Sequence, residues 1–181
     1  RLAFISNRSG SDQVYVIDLT SPSLKPTQLT RHTAGYTIND WYPDGESLLV
    51  SSKQDDHWRQ SGRVFKLQAK PTLEAPVKLF NAYGSDGTVS PNGKQLLFNR
   101  EGYRWWRKGY RGSKSAQVWL YDVDKTTFQK LIHHPTESLW PLWNSDGKSF
   151  FYVGGQSGSF NLWKHKVASQ SDHQITSFTD D

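Results

Sequence analysis

The stretch SPNGKQLLFNREG (Ser90–Gly102), followed after a long loop by QVWLYDV (Gln117–Val123), decides the fold. Its Asn-Gly pair supplies the positive φ that a tight hairpin turn requires. The runs around the turn are rich in branched and aromatic side chains, which favour strands over helices. The stretch therefore predicts a strand, a tight turn, a second strand, a loop and a third strand.

The same pattern occurs four times, at intervals of roughly 44 to 54 residues. Each copy contains three aligned segments, in an order that never changes. The first set is LAFISNR (2–8), LLVSSKQ (48–54), LLFNREG (96–102) and FFYVGGQ (150–156). The second is QVYVIDL (13–19), RVFKLQA (63–69), QVWLYDV (117–123) and NLWKHKV (161–167). The third is TQLT (27–30), VKLF (77–80), QKLI (129–132) and HQIT (173–176). The turns before copies two to four are Pro43-Asp44-Gly45, Pro91-Asn92-Gly93 and Ser145-Asp146-Gly147.

Four short antiparallel strands per repeat are the blade of a β-propeller, so the predicted fold is all-β with helices nearly absent. We treat 1–181 as a single propeller segment with repeats at about 1–34, 35–82, 83–136 and 137–181. The innermost strands of the last three repeats are expected near 36–41, 87–89 and 139–143. The first repeat begins in its second strand, which gives fifteen strands and about four blades. We expect these blades to belong to a larger ring of six or seven, with the rest in flanking sequence.

Composition excludes several classes of protein. The 181 residues contain no cysteine, which rules out disulfides, a thiolate nucleophile and cysteine-based zinc sites. No apolar run is long enough to span a bilayer, so no membrane partner is expected. The net charge of +5 is scattered over all repeats, which argues against nucleic acid as a partner. We expect a cytoplasmic location, with the periplasm as the alternative.

The repeat resembles a known blade type. The pattern S/Y-P-D/N-G-x-x-L-x-F followed by Q-V-W-x-Y-D-V is similar to the TolB-type blade, which occurs in TolB, in prolyl-oligopeptidase-like propellers and in tricorn-type peptidases. The fourth repeat departs most from the pattern. It has Ser145 in place of the turn proline, and His165-Lys166 where the third repeat has Tyr121-Asp122.

The long loop of the third repeat sharpens the resemblance. A W-x-R-x-x-Y-R-G insertion running into the strand at Gln117 is similar to the first propeller of tricorn-type proteases. The resemblance implies a parent that is a large serine peptidase, with propellers that govern passage of peptides, a PDZ-like module, a catalytic domain and hexameric assembly. The catalytic serine, histidine and glutamate of that family lie in domains absent from this chain, so no catalytic residue and no cofactor is predicted here.

The candidate binding site is this same loop, which interleaves basic and aromatic side chains. Such residues can stack on peptides or dock a neighbouring domain. The alternative is that the tryptophan rings fold back and plug a neighbouring blade. The candidate residues are Arg104, Trp105, Trp106, Arg107, Lys108, Tyr110 and Arg111.

Other polar groups have plain structural interpretations. Adjacent His133 and His134 at a strand end would point to opposite faces and so would not share a metal ion, and Asp55-Asp56-His57 is expected to be a solvated loop. Asp18 and Asp122 are expected to cap turns. No G-x-S-x-G, P-loop or dinucleotide fingerprint is present. The strand tryptophans are expected to pack between blades: Trp41, Trp119, Trp143 and Trp163.

Three hypotheses about function remain. The favoured one is a non-catalytic propeller portion of a tricorn-like serine peptidase that shapes a peptide channel or a docking surface. Its partners would be other domains or subunits of a homo-oligomeric parent, and possible peptides. The alternative is a TolB-like interaction module with no peptidase attached. The third is a propeller enzyme in its own right, which would need polar groups on the inner strands beyond Asp40, Asp86 and Glu137.

Overall fold

The computed structural model describes residues 1–55, 62–102 and 109–180. In these ranges the chain forms fifteen strands and no helix, as predicted. None of these residues belongs to a helix of the length and apolarity that a bilayer crossing requires. The strands are β1 (Leu2–Ser6), β2 (Gln13–Ile17), β3 (Thr27–Gln28), β4 (Thr37–Trp41), β5 (Ser47–Ser52), β6 (Arg63–Gln68), β7 (Val77–Lys78), β8 (Ser85–Val89), β9 (Gln95–Arg100), β10 (Gln117–Asp122), β11 (Thr127–Lys130), β12 (Ser138–Trp143), β13 (Ser149–Gly154), β14 (Asn161–Lys166) and β15 (Ser171–Gln174).

The strands pair into four antiparallel sheets, each made of strands consecutive in sequence. We number the sheets blades 1 to 4. Blade 1 has three strands (β1 to β3) and lacks an inner strand, whereas blades 2 to 4 have four each (β4 to β7, β8 to β11 and β12 to β15). This is the predicted blade architecture.

The turns between the first two strands of blades 2 to 4 close as predicted. Gly45, Gly93 and Gly147 have φ values of 66°, 74° and 63°, in the left-handed region that favours glycine. In blade 4 the Asp146 carboxylate accepts backbone N–H groups of Lys148 (2.7 Å) and Ser149 (3.1 Å). The side chain at this position therefore holds the chain reversal that the sequence pattern indicates.

The outermost strands differ from the prediction in their bounds. In blades 3 and 4 they begin two residues earlier than the aligned segments, and in blades 1 and 2 they contain only two residues. All four sheets add one more backbone bond after the strand, for example from Leu131 N to Val118 O (3.0 Å) and from Ile175 N to Leu162 O (2.8 Å). Short outer strands leave little unpaired backbone at the sheet edge.

The chain divides into two compact units, Arg1–Ser85 with blades 1 and 2 and Asp86–Asp181 with blades 3 and 4. Each unit has its own apolar core between its two blades. In the second unit, one face of blade 3 packs against one face of blade 4. We call these the front face of blade 3 and the back face of blade 4. The front face contributes Leu97, Val118, Leu120 and Leu131, and the back face contributes Trp143, Phe150, Tyr152 and Trp163.

The first unit repeats this arrangement at equivalent positions of the motif. The front face of blade 1 supplies Ala3, Ile5, Val14 and Leu29, and the back face of blade 2 supplies Trp41, Leu48, Val50, Phe65 and Leu67. A four-stranded sheet with two apolar faces must bury both of them. Stacking front face to back face is how the same motif satisfies this requirement in each unit.

Candidate functional site

The candidate loop connects β9 to β10 in blade 3. Its two ends are joined by a backbone bond from Gly102 N to Lys114 O (3.1 Å) and by an ion pair between Lys114 Nζ and Glu101 Oε2 (3.1 Å). Five of the seven candidate residues lie outside the described residues, and their role stays a prediction: Arg104, Trp105, Trp106, Arg107 and Lys108.

The remaining two candidates, Tyr110 and Arg111, behave differently from each other. The half-buried Tyr110 ring lies against the backbone of Gly112, so closely that a Cβ at position 112 would collide with it. Ser115 Oγ donates to Gly112 O (2.9 Å) and holds the same turn. Arg111 is exposed to solvent. Tyr110 therefore folds back on the loop, whereas Arg111 is available to a partner.

Beneath the loop lies a pocket of only about 10 Å³, which fits one water molecule and no substrate. Tyr110 lines it together with Glu137 and Phe160. Glu137 is buried, and its carboxylate accepts the Ala116 backbone N–H. The end of the loop thus packs onto the connection between blades 3 and 4 and onto the β13–β14 loop.

A buried amide also connects blades 3 and 4, and the sequence patterns did not reveal it. Asn99 Nδ2 donates to Ser138 O (2.7 Å), and Asn99 Oδ1 accepts the Trp140 N–H (2.8 Å). Trp140 has a φ of 50° and sits at an irregularity in the pairing of β12 with β13. The amide satisfies backbone groups of the inner strand at this irregularity.

The inner strand of blade 4 exposes apolar side chains. Trp140 is 52% exposed and Leu142 is 59% exposed. Trp140 lies within the segment where the pairing of β12 with β13 is irregular, and Leu142 lies at the end of that segment, opposite Phe151. The segment LWPLW (139–143) contains both exposed residues, but we interpreted only its Trp143, as a packing group.

The predictions about packing and capping are largely confirmed. Trp143 belongs to the core of the second unit, Trp163 packs against it, and Trp41 packs against the core of the first unit. Trp119 is half-buried, with the Arg100 guanidinium 5.3 Å from its ring centroid.

The two turn aspartates cap backbone groups as expected. Asp18 accepts the Thr20 N–H (2.9 Å) and Asp122 accepts the Lys125 N–H (3.0 Å). These bonds lower the pKa of both carboxyls: the Thr20 hydroxyl and N–H act on Asp18, and the Lys125 N–H acts first on Asp122.

The prediction that His133 and His134 lie at a strand end is wrong, because β11 ends at Lys130 and both histidines lie in the following loop. His134 Nδ1 is 2.8 Å from Thr136 Oγ1, and His133 is exposed. In the parts of the chain that the structure describes, no three histidine, aspartate or glutamate side chains are grouped as metal ligands.

The Asp55-Asp56-His57 segment falls partly outside the described residues, which include Asp55 but not Asp56 or His57. Asp55 Oδ2 forms an ion pair with Lys78 Nζ (2.9 Å).

The described loop serines make contacts of a structural kind. Ser157 Oγ accepts from Asn161 Nδ2 (3.0 Å), and Ser115 Oγ donates to backbone carbonyls. Within residues 1–55, 62–102 and 109–180, neither hydroxyl is hydrogen-bonded to a histidine or a carboxylate. The geometry here is that of turns rather than of an activated nucleophile.

Comparison with protein families gives a match to the Tricorn protease N-terminal beta propeller domain over residues 1–181. The chain belongs to this family. The match extends from the first repeat to the last, and it confirms the resemblance that the blade pattern and the β9–β10 insertion indicate. A comparison with curated protein sequences gives no match.

Solved structures share the fold at low sequence identity. TolB from Acinetobacter baumannii superposes with a TM-score of 0.74 at 17% identity, over 96% of this chain and 40% of that one. The tricorn protease gives 0.73 at 15% identity, over 94% and 16%. A puromycin-hydrolyzing peptidase of Mycobacterium tuberculosis gives 0.65 at 15% identity, over 98% and 31%. This chain therefore spans less than half the length of each, and the likeness establishes the propeller fold.

Proposed function

We propose that this chain is the non-catalytic propeller portion of a tricorn-like serine peptidase, where it shapes a peptide channel or a docking surface for the other domains. The family match supports the peptidase parent, and the exposed front face of blade 4 supports the role as one part of a larger ring. We further propose that the parent is a homo-oligomer in the cytoplasm.

The front face of blade 4 has apolar side chains that are more exposed than their counterparts in blade 3. Phe151, Leu162 and Ile175 occupy the motif positions that Leu97, Val118 and Leu131 occupy in blade 3. The blade 3 residues are buried against blade 4. In blade 4, Phe151 and Leu162 are only half-buried and Ile175 is 47% exposed.

An apolar sheet face of this kind is normally covered. Since the same motif positions receive the next blade in both units, the natural cover for the front face of blade 4 is another blade of the same type.

The β9–β10 loop supplies the proposed docking surface. Its described end is anchored by Tyr110 and leaves Arg111 exposed. Arginine and aromatic side chains are enriched at the centres of protein interfaces. We propose that the loop contacts another domain or a bound peptide.

The test compares this chain with the complete protein that the natural reading frame encodes. We expect the complete protein to hydrolyse peptides and this chain to show no turnover. Replacing Trp105 and Trp106 by alanine should leave the β-sheet spectrum unchanged and weaken assembly with the other domains. Activity of this chain that a single serine or histidine substitution abolishes would refute the proposal, and global unfolding of the double variant would identify the two rings as core.

The TolB-like interaction module is the second candidate, because the fold of TolB superposes at least as well as that of the tricorn protease. A reading frame that closes the ring after two or three more blades, behind a signal peptide and without a peptidase domain, would favour this candidate.

A further inference from the structure

The second unit contains an open cleft of about 530 Å³ with both polar and apolar lining. Three segments of chain form it: the connection from β11 to β12, the loop after β13 and the start of β15. The lining residues are Leu131, His133, His134, Pro135, Gln156, Gln170 and Asp172.

Asp172 is the only carboxylate among these lining residues. Two side chains on its inner side, Tyr152 and His165, hold its orientation. Tyr152 Oη donates to Asp172 Oδ1 (3.0 Å), and His165 Nδ1 lies 2.9 Å from the same oxygen. A carboxylate can only accept, so the imidazole proton lies on Nδ1. Asp172 Oδ2 receives no hydrogen bond from the residues that the structure describes, and the side chain is 33% exposed.

The histidine that contacts this carboxylate is buried. His165 is 1% exposed, packs against Phe150 with tilted rings whose centroids are 4.9 Å apart, and keeps Nε2 without a partner among the described residues. A buried polar atom without a partner is costly, so an apolar side chain would be the more stable choice here. Such a polar group in a core position is typical of a functional constraint.

The charge of Asp172 is not matched by a fixed cation. Within the described part of the chain its close partner is the His165 imidazole, and neither a lysine nor an arginine forms an ion pair with it. The pKa of the Tyr152 hydroxyl is raised, first by burial and then by the negative charge of Asp172. The cleft therefore presents a carboxylate oxygen beside amide and imidazole side chains.

We propose that this cleft binds an organic cation, namely the ammonium or guanidinium head of a basic peptide side chain. The head group donates to Asp172 Oδ2, and its aliphatic stem lies along Leu131 and Pro135. Charge-assisted hydrogen bonds to a carboxylate favour such a ligand over a neutral one of the same shape. The site is independent of any peptidase domain and goes beyond the proposed function.

The experiment measures binding to the full chain by NMR titration. The probes are Nα-acetyl-lysine amide, Nα-acetyl-arginine amide and Nα-acetyl-norleucine amide, which lacks the charge. We expect at least one cationic probe to bind about tenfold more tightly than the norleucine probe. Asp172→Asn should reduce this preference to about twofold or less, because an amide carries no charge.

Two further variants separate recognition from folding and from general electrostatics. Gln156→Lys places a cation in the cleft and should also remove the preference, without touching His165. Asp124→Asn removes an exposed carboxylate that pairs with Lys94, and should leave the preference unchanged. Equal binding of all three probes, a preference that survives Asp172→Asn, or a preference that Asp124→Asn also removes would overturn the proposal.

Discussion

Blades 3 and 4 contain the same motif, and one equivalent cross-strand pair is aromatic in the first and polar in the second. In blade 3, Tyr121 lies opposite Phe128, with ring centroids 4.8 Å apart. In blade 4 the same two positions hold His165 and Asp172, joined by a 2.9 Å contact. One copy of the motif therefore has an aromatic pair where the other has a polar pair.

The strand register of the blade therefore does not depend on which residues form this pair. Both pairs sit in an unbroken antiparallel register, which the backbone ladder and the packing of neighbouring rows maintain. The polar pair has an additional requirement, because its buried atoms need hydrogen bonds. Tyr152 meets part of it by donating to Asp172.

The largest expected change in unfolding free energy comes from two adjacent phenylalanines, which lie on opposite faces of blade 4. Phe150→Ala removes a fully buried ring of the back face and should cost about 3–5 kcal/mol of unfolding free energy. Phe151→Ala removes a half-buried ring of the front face and should cost about 1–2 kcal/mol. Urea denaturation of both variants measures the difference.

The same pair tests the equivalence of the repeats. If a further blade covers the front face in the complete protein, the cost of Phe151→Ala should rise there towards that of Phe150→Ala. Equal costs in this chain would contradict the assignment of the two faces.

A smaller effect is expected from converting the polar pair of blade 4 into the aromatic pair of blade 3. Asp172→Phe alone leaves the buried His165 without its partner and should cost about 1–3 kcal/mol. His165→Tyr alone should cost less, because Asp172 is partly exposed and keeps its hydrogen bond from Tyr152. The double variant should lie within about 1 kcal/mol of the natural chain, or above it, because a well-packed apolar pair often replaces a buried polar pair without loss. A double-mutant cycle by urea denaturation at neutral pH gives the coupling. Additive costs would show that the two residues do not act as a pair.

The smallest expected effect is a difference in acid stability between the first turns of blades 3 and 4. Blade 4 closes its first turn with Asp146, whose pKa is lowered chiefly by the Lys148 N–H bond, whereas blade 3 uses Asn92, which does not titrate. Because the folded pKa lies below the ordinary 3.8, the carboxylate stabilises the fold above that pH and loses this contribution as the pH falls through the folded value.

Asp146→Asn should therefore lower the urea midpoint slightly at neutral pH, and the gap to the natural chain should close in strong acid. Asp124→Asn, at an exposed site with no such backbone bond, serves as the control. A gap that persists at about pH 2 would show that charge at Asp146 does not stabilise the turn.

Much of the fold could be predicted from local chemistry. The Asp-Gly and Asn-Gly turns, the apolar runs after them and the capping aspartates are short-range features, and each formed as expected. The bounds of the outer strands could not be predicted, because they depend on where the backbone hydrogen bonds to the neighbouring strand begin and end. The site was less predictable: Asn99 and Asp172 look like ordinary polar residues in the sequence.

The repeated motif by itself determined the blades, their order and the packing role of most strand tryptophans. These features depend on turn geometry and on alternation within about 50 residues. Only the tertiary structure decided which sheet face meets its neighbour and that Asn99 connects two blades. Only the tertiary structure also showed that His165, Tyr152 and Asp172 converge beside a cleft. The physical reason is that their partners are cross-strand or cross-blade neighbours, whose contacts exist only after the sheets have stacked.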